Sequence, residues 1–168
     1  MCTHSFLSGQ CGNNTEGKFI EKAGKETFHY VEEPLRVDLF VEKDPKTKKV
    51  TPIRGVNVKE ISCGNTHTVV IDDKNRAFSW GFGGYGRLGH SETGNELVPR
   101  LIKFLDGPRR GIRKIVCGGN FNLATSEIPG TLISIFVHFN TLFTSKYVER
   151  CQIMKGGFLL LKCSCTGI

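Results

Sequence analysis

This chain repeats itself, and the repeat limits what it can fold into. "VKEISCGNTHTVVID" begins at Val58 and "IRKIVCGGNFNLATSE" begins at Ile112. Ile61-x-Cys63-Gly64 thereby aligns with Ile115-x-Cys117-Gly118, an offset of 117 − 63 = 54 residues. A third echo lies upstream: "GQCGNN" (9–14) matches "GRLGHS" (86–91), and "EEPLRVDLF" (32–40) matches "ELVPRLIKF" (96–104). The upstream copy is longer, with extra residues around 18–30 and 42–52.

The unit reads as four short strands divided by turns: "VKEISCG", "HTVVID", "RAFSWGF" and "PRLIKF". In the third, Ala77, Ser79 and Gly81 alternate with Phe78, Trp80 and Phe82, a period-2 pattern. "DDKN" before Arg76 is tight-turn chemistry, because Asp and Asn bond their own backbone. Gly64 and Gly118 are expected to let the chain turn sharply after an apolar strand. A four-strand repeat of ~40–50 residues is the signature of a propeller blade. One blade cannot bury both of its faces, whereas stacked blades can. The expected fold is therefore all-β, a partial β-propeller of about two blades out of an expected seven, each a four-stranded antiparallel sheet. The expected divisions are 1–57 (end of one repeat, with insertions), 58–110 (a complete repeat), 111–127 (start of the next) and 128–168 (a tail outside the pattern).

"WGFGGYGRLGH" (80–90) also admits another reading. Gly81, Gly83 and Gly86 spell the G-x-G-x-x-G of a dinucleotide-binding loop. That loop must open a helix whose N-terminal amides hold the pyrophosphate. Here Gly89, Gly94 and Pro99 follow; each interior glycine costs a helix roughly 1 kcal/mol and proline ~3. No cofactor is expected, and the glycines read as turns that define the repeat.

The motifs Cys63-Gly64-x-x-His67, Trp80-Gly81-x-Gly83-x-x-Gly86-Arg87-Leu88-Gly89-His90 and Val98-Pro99-Arg100 resemble the repeat of the regulator of chromosome condensation family. The resemblance covers about residues 8–127, and its details are closest to a mitotic branch of that family. It implies blades closing a seven-bladed ring, and a regulatory binding protein rather than an enzyme. The implied activity is guanine-nucleotide exchange on a small GTPase in mitosis or chromosome organisation. The implied alternative is a scaffold bound to chromatin, nucleic acid or microtubule-associated assemblies, without exchange activity. Arg87, Glu92 and Asn95 in the loop after Trp80, with Arg109 and Arg110, are the candidate exposed partner contacts.

Other chemistry fares less well. Trp80 and Leu88 are expected in the blade core. His67 and His90 are expected to bond the backbone between strands rather than to catalyse or bind metal. Cys63-x-x-x-His67 has the look of a nucleophile–base pair, but the repeat keeps Cys117 and puts Phe121 where the histidine stood, as packing would and catalysis would not. Cys151, Cys163 and Cys165 fall short of the paired C-x-x-C of a zinc site, so no metal is expected.

The net charge of +7 arises from 23 basic and 16 acidic residues dispersed along the chain; only Lys43–Lys49 and Gly107–Lys114 are locally basic, and either could meet phosphate. "MCTHSFLSGQC" has neither a basic lead nor a sustained apolar core, so the seven cysteines are expected reduced in a nuclear or cytoplasmic protein. The apolar run at 131–143 is shorter than the ~20 residues of a bilayer span. The tail from Ile128 has no Trp-Gly and no further Cys-Gly start; it is read as a departure from the family of the kind a retained intron produces. Alone, two open blades are expected to fold poorly or to associate through their edges.

Overall fold

The computed structural model describes residues 9–16, 18–20, 26–28, 33–107, 111–126, 131–135, 150–154 and 158–162. Among the described residues there are thirteen strands: β1 (Lys18–Ile20), β2 (Glu26–Phe28), β3 (Phe40–Lys43), β4 (Val50–Ile53), β5 (Val58–Cys63), β6 (His67–Asp72), β7 (Ala77–Gly81), β8 (Glu96–Leu101), β9 (Ile112–Cys117), β10 (Asn122–Ser126), β11 (Thr131–Ile135), β12 (Arg150–Met154) and β13 (Phe158–Lys162). The described residues also form two single-turn 3-10 segments, Gly84–Gly86 and Lys103–Leu105.

The central sheet has the order β4-β3-β8-β7-β6-β5. Its continuous antiparallel run of four, β8-β7-β6-β5, is the four-stranded blade read from the repeat. β5, β6 and β7 fall where the sequence places them. β8 begins three residues earlier than expected and stops at Leu101. The pairing explains the shift: Ser79 faces Arg100 and Gly81 faces Glu96, so Trp80 lies opposite a bulge holding Leu97, Val98 and Pro99. Pro99 can sit inside a sheet because a bulge needs no ladder donor from it. The sheet is wider than four strands, since the extra residues around 42–52 form the β3–β4 hairpin and β3 joins β8 in parallel at Val41–Arg100. The extra residues upstream contribute a second hairpin, β1–β2. By contrast, residues 33–39 form no strand, although their sequence echoes that of β8.

β6 is buried along its whole length, and its alternation serves two cores. Val69 and Ile71 pack with Ala77, Ile102, Leu105, Ile112, Ile115 and Ala124. Val70 turns to the other face, with Phe78, Trp80, Leu101 and Phe40. Phe40 meets Phe78 edge-on at 5.1 Å between ring centroids. Each such buried side chain contributes roughly 1.5–3 kcal/mol. The first core joins one blade to the next, because Ile112, Ile115 and Ala124 come from β9 and β10. At the β6–β7 turn the buried Asp72 carboxylate accepts the backbone N–H groups of Lys74 (3.1 Å) and Arg76 (2.8 Å), while Asn75 takes the left-handed conformation.

The second sheet runs β12-β13-β11-β10-β9. β11 pairs antiparallel with β10, as β7 pairs with β6. The tail thus supplies the next strand without the family's Trp-Gly. "TLISI" is rich in β-branched residues, which suit a pleated surface.

Candidate functional site

Four of the sequence candidates, Cys63, His67, Arg87 and Cys117, lie at the seam where β9 and β10 pack against β5 and β6. The backbone of β9 is held by side chains of β5. Cys117 N–H donates to Ser62 Oγ at 2.8 Å, Ile115 N–H to Glu60 Oε1 at 3.4 Å, and the Cys117 thiol to the Ser62 carbonyl at 3.3 Å. Burial pushes the Cys117 thiol up to about 11, away from nucleophilic chemistry. Cys63 is exposed and receives the Thr68 hydroxyl at its sulfur, 3.9 Å away.

His67 is buried, and its Nε2 lies 2.7 Å from Asn122 Oδ1 across the seam. Asn122 Nδ2 donates in turn to the Arg87 carbonyl at 2.7 Å. That contact orients the amide, so the imidazole carries its proton on Nε2. Burial lowers the pKa of His67 and keeps it neutral. The expectation of a backbone bond is corrected here: the partner of His67 is a side chain of the following blade.

Arg87 needs a larger correction. Expected at an exposed contact position, it is only 4% exposed. Its Nε donates to the Gly84 carbonyl (3.1 Å), and its terminal nitrogen to Thr66 Oγ1 (2.9 Å) and Asn120 Oδ1 (2.6 Å). The guanidinium lies over the Phe82 ring, 4.8 Å from its centroid. Five planar donors pinned over an aromatic ring make a clasp between two blades. Glu92 and Asn95 also bond within the chain, Glu92 half-buried and Asn95 exposed as expected. Glu92 gathers Lys48 (2.5 Å), Lys43 (3.5 Å) and Arg100 (3.5 Å), a cluster that holds the β3–β4 hairpin against the blade; the Lys48 bond above all lowers its pKa to about 2. Asn95, although exposed, accepts the Gly83 N–H at 3.1 Å. Arg109 and Arg110 lie outside the described residues.

The glycine loop is built for geometry. Gly86 and Gly89 have φ of 77° and 74°, and Ser91 follows at 58°. The upstream echo repeats this: Gly9 is at 75°, Gly12 at 66° and Asn14 at 63°. Both copies close the same turn, Gly89 N–H to Gly86 O and Gly12 N–H to Gly9 O, each 3.0 Å. Both also offer one carbonyl to the following blade. Arg87 O accepts Asn122 Nδ2, and Gln10 O accepts Trp80 Nε1 at 2.8 Å.

Gly64 and Gly118 correct the sequence reading too. Neither has a positive φ. A Cβ on Gly64 would collide with the His67 ring, and one on Gly118 with the Phe121 ring. Glycine is required there by a ring packed on the backbone. The turn is otherwise shared, with Gly64 N–H bonded to His67 O and Gly118 N–H to Phe121 O. His90 Nε2 lies 3.0 Å from Ser79 Oγ, which itself donates to the Leu88 carbonyl at 2.6 Å. Burial, then Arg100, pushes His90 down to about 3, so it too is neutral. Trp80 and Leu88 are core residues, 5% and 1% exposed.

A sheet that recurs along the chain, with a glycine loop from one unit offering its carbonyl to the next, defines a β-propeller repeat protein. Residues 58–125 belong to the regulator of chromosome condensation (RCC1) repeat family, whose models match residues 58–87 and 74–125. The chain is 48% identical over 122 residues to the Protein RCC2 homolog of Danio rerio, covering 73% of this chain and 24% of that protein. It is 46% identical to Protein RCC2 of Homo sapiens, covering 73% and 23%. The chain thus spans about a quarter of the length of these relatives. Among solved structures it is similar to human WBSCR16 (21% identity, 53% of this chain and 22% of that one, TM-score 0.41). It is also similar to Saccharomyces cerevisiae Prp20p, described with its binding to Gsp1p and histones (28%, 53% and 20%, TM-score 0.40).

Proposed function

We propose that this chain is a segment of an RCC1-type propeller that works by binding a partner and not by covalent chemistry. Residues 58–110 form the complete repeat, 1–57 the end of the one before it and 111–127 the start of the next. The observation that carries this reading is the fate of the reactive side chains. His67, His90, Arg87 and Cys117 are neutral, unreactive or committed to the seam, so the loops between strands are left as the working surface. The turns at 64–67 and 118–121 and the glycine loop emerge at the same end of the blades. They expose Tyr85, Phe121, Asn65 and Asn120 there, an aromatic and amide patch of the kind that anchors protein partners.

The partner in this reading is a small GTPase. Exchange then needs no proton transfer, because a protein that binds the nucleotide-free GTPase more tightly than the loaded form shifts the equilibrium toward release. The test is release of fluorescent GDP from a panel of small GTPases. Acceleration by the wild type that is lost in Tyr85→Ala supports the reading; no acceleration and no retention of any nucleotide-free GTPase overturns it.

A second reading, a chromatin or nucleic-acid scaffold, is favoured by the β3–β4 hairpin. Asp44 Oδ1 caps the N–H groups of Lys46 and Thr47 at 2.8 Å each, fixing a turn that exposes Lys46, Lys48 and Lys49. Phosphate binding of this type weakens steeply with salt. DNA retention that is unchanged between low and high salt excludes it.

A further inference from the structure

Arg87 is a buried cation with no acid beside it. Arg100, also buried, pairs with Glu96 at 2.5 Å, and Arg76 pairs with Asp72 at 2.6 Å. Among the described residues no carboxylate forms an ion pair with Arg87. Its Nε and one terminal nitrogen, Nη1, are committed to Gly84, Thr66 and Asn120. The other terminal nitrogen, Nη2, donates to no described residue and keeps contact with solvent. Burial works against the charge, and only the Tyr85 phenol favours it. A charge withdrawn from water ordinarily has a partner.

The joint between repeats does not require this charge. Neutral Gln10 stands at the equivalent position upstream, and its backbone carbonyl serves the next blade as that of Arg87 does. The surroundings select one kind of anion. The turns at 64–67 and 118–121 and the loop at 82–87 hold no lysine, no second arginine and no acid. Binding to a phosphate backbone draws on several cations at once. A single guanidinium edge among aromatic and amide groups suits one carboxylate instead. Tyr85, 66% exposed, holds φ at 62°, a conformation that bulky side chains rarely take and that gathers at binding sites. We infer that Arg87 Nη2 anchors an aspartate or glutamate side chain of the protein partner, on the loop surface that bears Tyr85 and Asn120. This rests on the partner-binding reading above and names the group that the partner must bring.

Heteronuclear NMR of the arginine side chains in the full chain tests it. The probe is blocked glutamate (N-acetyl-glutamate methylamide), and the Arg87 signal is identified by its loss in Arg87→Gln. At constant ionic strength, blocked glutamate is expected to shift that signal saturably. Blocked glutamine, which lacks the charge, should bind at least about tenfold more weakly. Asn120→Asp supplies an acid from within the chain, since Asn120 Oδ1 already accepts from Arg87. It is expected to weaken probe binding by about tenfold or more, with Trp80 emission reporting that the blade is folded. The wild-type titration stands without that variant. A signal that does not move, or that answers equally to both probes, overturns the inference. So does a folded Asn120→Asp variant that binds the probe as the wild type does. Tighter binding of inorganic phosphate than of blocked glutamate overturns the choice of a carboxylate. None of these readouts involves a GTPase, so a failed exchange assay and a failed anchor remain separate results.

Discussion

His67 and Asn122 belong to different blades, yet they meet at 2.7 Å in a site from which water is excluded. Asn122 then reaches the Arg87 carbonyl, and the Arg87 side chain reaches Asn120 and Thr66. The path runs from one blade to the next and back. The residues that look most reactive in the sequence are therefore those that hold the ring segment together.

Arg87→Ala is expected to destabilise the chain by about 1–3 kcal/mol, because the partly buried acceptors on Thr66 and Gly84, and that on Asn120, lose a charged donor. Arg87→Lys should recover less than half, since an ammonium cannot reproduce the planar fork or its stacking on Phe82. Urea unfolding followed by Trp80 emission measures both. Unchanged stability together with lost partner binding would return Arg87 to the surface.

Gly64→Ala is expected to cost about 1–3 kcal/mol through overpacking against the His67 ring. Removing the ring relieves the clash, so the double variant Gly64→Ala, His67→Ala should lose less than the sum of the two single losses. A strictly additive cycle would mean that the ring is not the reason for the glycine.

Acidification should weaken the fold. His90, near 3 when folded, and His67, also lowered, are neutral in the native chain and take up protons on unfolding below an ordinary value of 6.5. The stability they permit is present above pH 6.5 and falls as pH drops toward the folded values, by up to about 1.4 kcal/mol per pH unit for each histidine. Urea midpoints at pH 7.5 and 5.5 test this. His90→Gln should flatten part of the slope, and an unchanged slope would mean that His90 is not its source.

Glu92→Gln is expected to cost no more than about 1 kcal/mol, since its main partner, Lys48, is exposed. The loss should shrink in high salt. A larger, salt-independent loss would show that the hairpin depends on this carboxylate.

Strand positions and repeat order were legible in the sequence because they rest on local signals. Alternation marked Ala77–Gly81, and the Cys-Gly offset marked β5 and β9. The roles of Arg87, Glu92 and Asn95 were not legible, because a polar residue in a glycine-rich loop reads as solvated unless its partner is known. The partners of Arg87 that matter most, Thr66 and Asn120, lie 21 and 33 residues away. The β3–β4 hairpin was visible only as surplus length, because its attachment to β8 depends on one parallel bridge and an ion-pair cluster. One signal for Asn122 was available. The second repeat puts Asn122 where the first has Thr68, and a polar residue at the head of a buried strand asks for a partner.

The carbonyl that each glycine loop hands to its successor is taken by an indole in one case and a carboxamide in the other. The backbone offer is constant and the acceptance is free to vary. Such a joint lets neighbouring repeats drift apart in sequence without parting company. It also gives injury a direction: a lesion in a loop is felt first by the repeat that comes after it.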